Sequence, residues 1–339
     1  MRAAAVALAL LACSPHHAPP APPPAALVDP ALELLVTPAP DHHAFIAALD
    51  GAQHSIDLAM FHLTDPAVID ALVRAIQRGV AVRVIVDDAR RVTPALGDHV
   101  RAPSRAFSIM HEKAMVVDGS VAFVTAINLT REVASTRDFG VVTRVPSVVS
   151  AVAQLFAADW DNAATGGQAT PALDPALVVS PGARTKLVAL VDAAAHDVIA
   201  TVENLGDPAI AEALIAAHQR GASVRLIVPL CDRNADPLYD LAPARRLAAA
   251  GVAVHMASEP YMHSKMIQID GGAATYVGSA NFSINSLTKA RELGVIFANP
   301  PAAKTIAAAF EADWASSAPP PENQPDCENA ATSDPGSGV

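Results

Sequence analysis

The residues best suited to chemistry in this chain fall into two matched sets. The first runs His111-Glu112-Lys113-Ala114-Met115-Val116-Val117-Asp118 and continues to Asn128-Leu129-Thr130. The second runs His263-Ser264-Lys265-Met266-Ile267-Gln268-Ile269-Asp270 and continues through Gly278-Ser279-Ala280 to Asn281-Phe282-Ser283. Residues i and i+2 of a strand point to one face, so each set puts an imidazole beside a fixed positive charge. Beyond each Lys the strand is apolar, which sends it into a core and leaves its His-bearing end at the rim. Each Asn adds a side-chain donor, and Thr130 and Ser283 each add a hydroxyl. Converging across a pseudo-twofold axis, two His, two Lys and two Asn make a cationic pocket suited to a phosphate diester, whose oxygens need donors and charge neutralisation as the transition state forms. One His then attacks phosphorus while the other protonates the leaving oxygen, and the second step reuses the pair. A single His-x-Lys on a strand end is usually solvated surface; the duplication in register is what gives the pattern weight.

The elements that must position these residues are duplicated too. The segment Thr64-Asp65-Pro66-Ala67-Val68-Ile69-Asp70-Ala71-Leu72 runs on to Gln77-Arg78-Gly79, and it recurs as Gly206-Asp207-Pro208-Ala209-Ile210-Ala211-Glu212-Ala213-Leu214, running on to Gln219-Arg220-Gly221. In each copy an apolar strand (56–63 or 198–205) leads to an Asp-Pro helix start, and the helix ends at Gly79 or Gly221. A second, β-branched strand (82–86 or 224–228) follows, of the kind buried on both faces in a parallel sheet. Both copies close alike, Phe156-Ala157-Ala158-Asp159-Trp160 matching Phe310-Glu311-Ala312-Asp313-Trp314, so the two Trp residues of the chain read as equivalent core anchors. The spacing predicts an α/β protein of two similar halves, residues 31–165 and 175–315. Each half is expected to be a mixed, mostly parallel sheet flanked by helices, with the active site between the halves on the pseudo-twofold. Residues 316–339, rich in Pro, Asn, Asp, Ser and Gly, read as a disordered tail.

The chain has 339 residues, 52% hydrophobic and 17% charged, enough for a large core. A net charge of −11 argues against broad electrostatic capture of nucleic acid or anionic membrane. The start reads as a lipoprotein-type signal peptide over residues 1–12, and Leu10-Leu11-Ala12-Cys13 resembles the bacterial lipobox, making Cys13 the expected lipidation site. Residues 13–30 then form a Pro-rich, extended tether. This predicts an exported lipoprotein, anchored facing the periplasm or the outer surface. Cys231 and Cys327 remain as a bridged pair or as two unrelated thiols.

On these motifs the chain resembles the phospholipase D superfamily, whose signature is H-x-K-x4-D followed by a Gly-Ser and Asn stretch, twice per active site. The resemblance runs from about Leu32 to Trp314. It implies that His111 and His263 are the nucleophile and acid pair, with His111 the nucleophile, and that Lys113, Lys265, Asn128, Asn281 and Ser279 hold phosphate. Family members place an acidic residue about ten positions past the Asn to orient a catalytic His, which points to Asp138 and Glu292, whereas Asp118 and Asp270 read as structural. The first copy departs from the pattern, with Thr125-Ala126-Ile127-Asn128 in place of the Gly-Ser turn. Arg101, Arg105 and Arg137 flank the first motif, where they either meet a phosphate or head group or stand exposed; Tyr261 and Met262 either line the substrate mouth or pack as strand. The resemblance implies a phosphodiesterase that needs no metal or other cofactor. The expected partner is a phospholipid membrane, and the expected state is a monomer with an internal pseudo-dimer. Competing readings are a nuclease of the same superfamily, a cardiolipin synthase-like phosphatidyltransferase, and a non-catalytic phosphate-binding module.

Overall fold

Each copy of the duplicated Asp-Pro segment folds as strand, helix and strand. Ser55–Met60 leads to the helix Pro66–Gln77 and then to Ala81–Val86, and Asp197–Thr201 leads to Pro208–Gln219 and Ser223–Pro229. Asp65 accepts a hydrogen bond from the Ala67 amide at 2.9 Å, and Asp207 accepts one from the Ala209 amide at 2.9 Å. These caps satisfy amides that the first helical turn leaves open, and the adjoining Pro has none to lose. Gly79 and Gly221 end the helices with φ of 86° and 101°, a left-handed turn that most side chains resist. The computed structural model describes residues 21–231, 240–325 and 327.

Two seven-stranded sheets share one strand order. The first runs Glu33–Val36, Phe139–Thr143, Val121–Thr125, Ala114–Val117, Ser55–Met60, Ala81–Val86 and Val100–Arg101. The second runs Leu177–Ser180, Glu292–Phe297, Ala274–Gly278, Met266–Ile269, Asp197–Thr201, Ser223–Pro229 and Ala253–Ala257. The sheets are mixed, as expected, but their balance is antiparallel rather than mostly parallel. Within each sheet the three strands linked by helical crossovers pair in parallel. The His-Lys strands instead turn sharply at Asp118-Gly119 and Asp270-Gly271 into hairpins, which forces antiparallel neighbours.

Each half has its own apolar core, and a further cluster belongs to both. Val124, Phe139, Val141 and Leu155 of the first half pack with Val277, Leu293, Val295 and Phe310 of the second. This shared core joins the halves and sets the position of one active-site set against the other. Trp314 sits at its rim rather than inside it, and Trp160 sits at the rim of a smaller cluster of Ala59, Ile85, Met110 and Phe156. The Arg101 guanidinium lies 3.9 Å from the ring centroid of Trp160, and His255 stacks on Trp314 at 3.7 Å.

Both ends of the described chain depart from expectation. The end of the expected tether is docked: Leu27 is buried and bonds with Ile296 and Ala298 of the second half, while the Asp29 carboxylate accepts from Thr143 at 2.6 Å. An apolar side chain and a carboxylate each find a partner there, so the segment is held across the two halves. The proposed signal peptide and Cys13 lie outside the described residues. The start of the expected disordered tail is likewise fixed, because Ala318 exchanges backbone hydrogen bonds with Met256, and Cys327 is disulfide-bonded to Cys231 with Cα atoms 5.6 Å apart. Among the described residues no helix is long and apolar enough to cross a membrane.

The bridge closes a loop of 96 residues in sequence separation, so it restricts the unfolded chain strongly. Reduction, or Cys327→Ser, is expected to cost about 2–4 kcal/mol. The measurement is a fall in melting temperature, accompanied by earlier proteolysis within 317–325 than within either half.

Candidate active site

The two His-Lys motifs reach the site through backbone pairing across the halves. The His111 amide donates to the Arg291 carbonyl at 2.9 Å, and the His263 amide donates to the Arg137 carbonyl at 3.2 Å. Each motif is thereby held against the residue that precedes the other half's candidate acid. The side chains then cross. His111 Nδ1 lies 2.9 Å from Glu292 Oε2, and His263 Nδ1 lies 2.7 Å from Asp138 Oδ1. His111 Nδ1 also faces the Ser279 carbonyl at 3.2 Å, an oxygen that only accepts, so Nδ1 carries the proton and Nε2 presents its lone pair.

Lys113 and Lys265 are fully buried, and each turns back to the carbonyl of its own His, at 2.7 Å and 2.5 Å. Burial, together with the neighbouring Lys265 charge, pushes the Lys113 ammonium down to about 7. Burial likewise pushes His111 below its ordinary value of 6.5, against the pull of Glu292 and with that of Lys113. Asn281 is fixed by the Asn204 amide, which donates to its Oδ1 at 3.1 Å. Asn128 Oδ1 has no partner among the described residues.

Other expected site residues serve the scaffold. The Ser279 hydroxyl is fully buried and bonds both the amide and the carbonyl of Leu293, at 3.0 and 3.2 Å, so it is unavailable to phosphate, and its contribution is the carbonyl facing His111. Asp118 accepts from the amides of Gln53, His54 and Ser55, and Asp270 from those of Ala195, His196 and Asp197. These bonds hold both carboxyls below their usual value despite some desolvation, at the end of each strand remote from the His. Thr130 and Ser283 cap short helical turns by accepting from Glu132 and Ser286 amides. The departure at Thr125 is a packing exchange. A Cβ on Gly140 would meet Thr125 Cγ2 at 2.7 Å, while in the second half a Cβ on Gly278 would meet the Tyr276 hydroxyl at 2.7 Å.

Three features escaped the sequence reading. Arg137, read as meeting a phosphate or head group or standing exposed, instead makes a bidentate ion pair with Asp313 at 2.7 and 2.9 Å. Its counterpart Arg291, fully buried, contacts Asp159 at 3.0 Å and accompanies it with bonds to the Ser180 and Ala169 carbonyls and the Thr170 hydroxyl. The signal was present, since the matched Asp-Trp helix ends and the Arg before each acid share one register, but nothing in the spacing says that they meet. The third feature is Glu203, buried beside Lys265 at 2.9 Å, with the Tyr261 hydroxyl donating to it at 3.1 Å.

The arrangement has two imidazoles pinned on Nδ1 by carboxylates, with buried ammonium groups beside them. It can attack, hold and protonate the groups around a tetrahedral phosphorus. Fold and site thus define a two-lobed α/β protein with one paired His-Lys centre. Residues 45–160 and 187–314 match the family described as cardiolipin synthase, PLD-like domain, and the chain belongs to this phospholipase D-like family. It is 26% identical over 293 residues to the probable cardiolipin synthase YwiE of Bacillus subtilis (strain 168), covering 73% of this chain and 57% of that protein. Over 82 residues it is 34% identical to a mitochondrial cardiolipin hydrolase of Drosophila melanogaster, covering 22% of this chain and 32% of that protein. The solved phosphatidylserine synthase of Haemophilus influenzae Rd KW20 shares the fold with a TM-score of 0.68 at 13% identity, over 87% of this chain and 89% of that one.

The crossed Arg–Asp pairs give a direct test. Arg291→Met alone strands the Asp159 carboxylate in the interior and is expected to destabilise by about 3–5 kcal/mol. Adding Asp159→Leu should recover most of that loss in chemical denaturation. Additive losses would mean that the two residues act independently.

Proposed function

We propose that this protein is a phospholipase D-type phosphodiesterase that hydrolyses glycerophospholipids to phosphatidate and a free head group through a phosphohistidine intermediate. The observation that carries the reading is the crossed pair of imidazoles, each oriented on Nδ1 by a carboxylate of the other half. His111 Nε2 attacks phosphorus, and the bond to the head-group oxygen breaks as that oxygen takes a proton from His263 Nε2. Water then gives a proton to His263 and attacks phosphorus, and the P–N bond breaks to return the lone pair to His111. Lys113, Lys265 and Asn128 face the phosphate oxygens. A lipid substrate is favoured over nucleic acid by the net charge of −11 and by the proposed lipid anchor at Cys13.

A second reading keeps the same first step and replaces water by a lipid alcohol, giving phosphatidyl transfer. The similarity to a probable cardiolipin synthase supports it. The deciding assay gives the purified chain phosphatidylcholine/phosphatidylglycerol vesicles in one tube and single-stranded DNA in another, both with EDTA. Phosphatidate that disappears with His111→Ala is the expected result; cardiolipin with free glycerol supports transfer, and cut DNA with intact lipid overturns the lipid reading.

The pH dependence follows from the two displaced groups. His111 lies below 6.5, so its neutral, nucleophilic form persists into mild acid, and the acid limb of kcat/KM is expected below pH 6.5. Lys113, at about 7, loses its charge as pH rises, so KM is expected to increase above pH 7. Steady-state kinetics across pH 5–9 check both limbs.

A further inference from the structure

The pseudo-twofold fails at one point in the pocket. Phe61 and Glu203 occupy corresponding positions, each just past the first strand of its repeat. Phe61 presents a ring whose centroid is 4.8 Å from that of His111, with Lys113 Nζ 5.1 Å from the ring centroid. Glu203 instead brings a carboxylate to the second half. Its Oε2 is 2.9 Å from Lys265 Nζ, 3.4 Å from Asn281 Nδ2 and 3.6 Å from His263 Nε2, and its Oε1 accepts from the Tyr261 hydroxyl at 3.1 Å. The side chain is 10% exposed. Burial would raise its carboxyl, but Lys265, then His263, hold it far below the usual carboxylate range, so it is an anion.

Two consequences follow. His263 has a carboxylate opposite each ring nitrogen, Asp138 at Nδ1 and Glu203 at Nε2, so an N–H at either position faces an acceptor. His111 has Glu292 on Nδ1 and an aromatic neighbour in place of the second carboxylate. The donors divide in the same way. Each Lys bonds the carbonyl of the His two residues before it, but Lys265 Nζ and Asn281 Nδ2 also bond Glu203, whereas Lys113 has no carboxylate partner among the described residues. Lys113 is therefore the ammonium left without a carboxylate for a phosphate to meet.

We propose that Glu203 is a positioning residue that makes the two histidines unequal, stabilising a proton on His263 Nε2 for the leaving oxygen while Phe61 leaves His111 Nε2 free to attack phosphorus. This rests on the phosphodiesterase reading of the site. The proton passes from His263 Nε2 to the oxygen released from phosphorus, and water resupplies it in the second step. Glu203 acts through His263.

The test compares leaving groups. The full chain, Glu203→Gln and Glu203→Asp are assayed on phosphatidylcholine vesicles, whose alcohol leaves only with a proton, and on bis(p-nitrophenyl) phosphate, whose nitrophenolate leaves without one. Glu203→Gln is expected to lower kcat on the lipid by 10²-fold or more, in the range of a lost general acid, while staying within about threefold of the parent on the nitrophenyl diester. Glu203→Asp, which keeps the charge, should regain part of the lipid activity. Melting curves accompany each variant. Equal losses on both substrates, or no loss on the lipid, overturn the proposal. If the parent chain cleaves neither diester, the phosphodiesterase reading itself falls; if it cleaves both in a His111-dependent way, only the role of Glu203 is at stake.

Discussion

Each imidazole of the site takes its orientation from a carboxylate on the opposite half, and this crossing is the constraint around which the molecule is organised. Glu292 serves His111, and Asp138 serves His263. Neither half alone contains an oriented His. The backbone enforces the same exchange, because each His amide is bonded to the carbonyl of the Arg preceding the other half's acid. Those Arg side chains return the connection, Arg137 to Asp313 and Arg291 to Asp159. A shift of one half against the other would break imidazole, backbone and guanidinium contacts together, and the shared apolar core between the sheets opposes it.

Burial gives this geometry its chemical character. A Lys in water is a hydrated ammonium with little reason to lose its proton near neutrality. Packed in the interior beside a second Lys, Lys113 is brought down to about 7, against the pull of Glu292, Glu203 and Asp138. His111 is kept neutral by the same desolvation. The two strands that carry these groups are apolar beyond the Lys, so the hydrophobic effect that seats the strand also dries the site.

Duplication supplied two equivalent centres, and substitutions within the copies separated them. Thr125 against Gly140, and Gly278 with Tyr276 filling the space, are alternative ways of packing one hairpin, and they leave the Asn in place. Phe61 and Glu203 differ in charge as well as shape, so that exchange reaches the reacting groups. A symmetric pair of His residues has no intrinsic reason to divide into nucleophile and acid, whereas an anion beside one of them provides it.

Much of this was legible in the chain itself. The Asp-Pro starts and Gly ends of the helices Pro66–Gln77 and Pro208–Gln219 are local signals, set by capping and by φ, and they lie where the sequence puts them. The His-x-Lys alternation is also local, since strand geometry alone puts both side chains on one face. The acids at 138 and 292 were visible as residues, but which His each would serve was not, because sequence carries no record of which half a side chain crosses into. The balance toward antiparallel pairing, the docking of Leu27 and Asp29 and the Cys231–Cys327 bridge were equally undecided, each depending on segments brought together only by tertiary packing. Glu203 is one more carboxylate in the sequence; only the tertiary fold buries it against Lys265 and His263, where burial strengthens the effect of its charge.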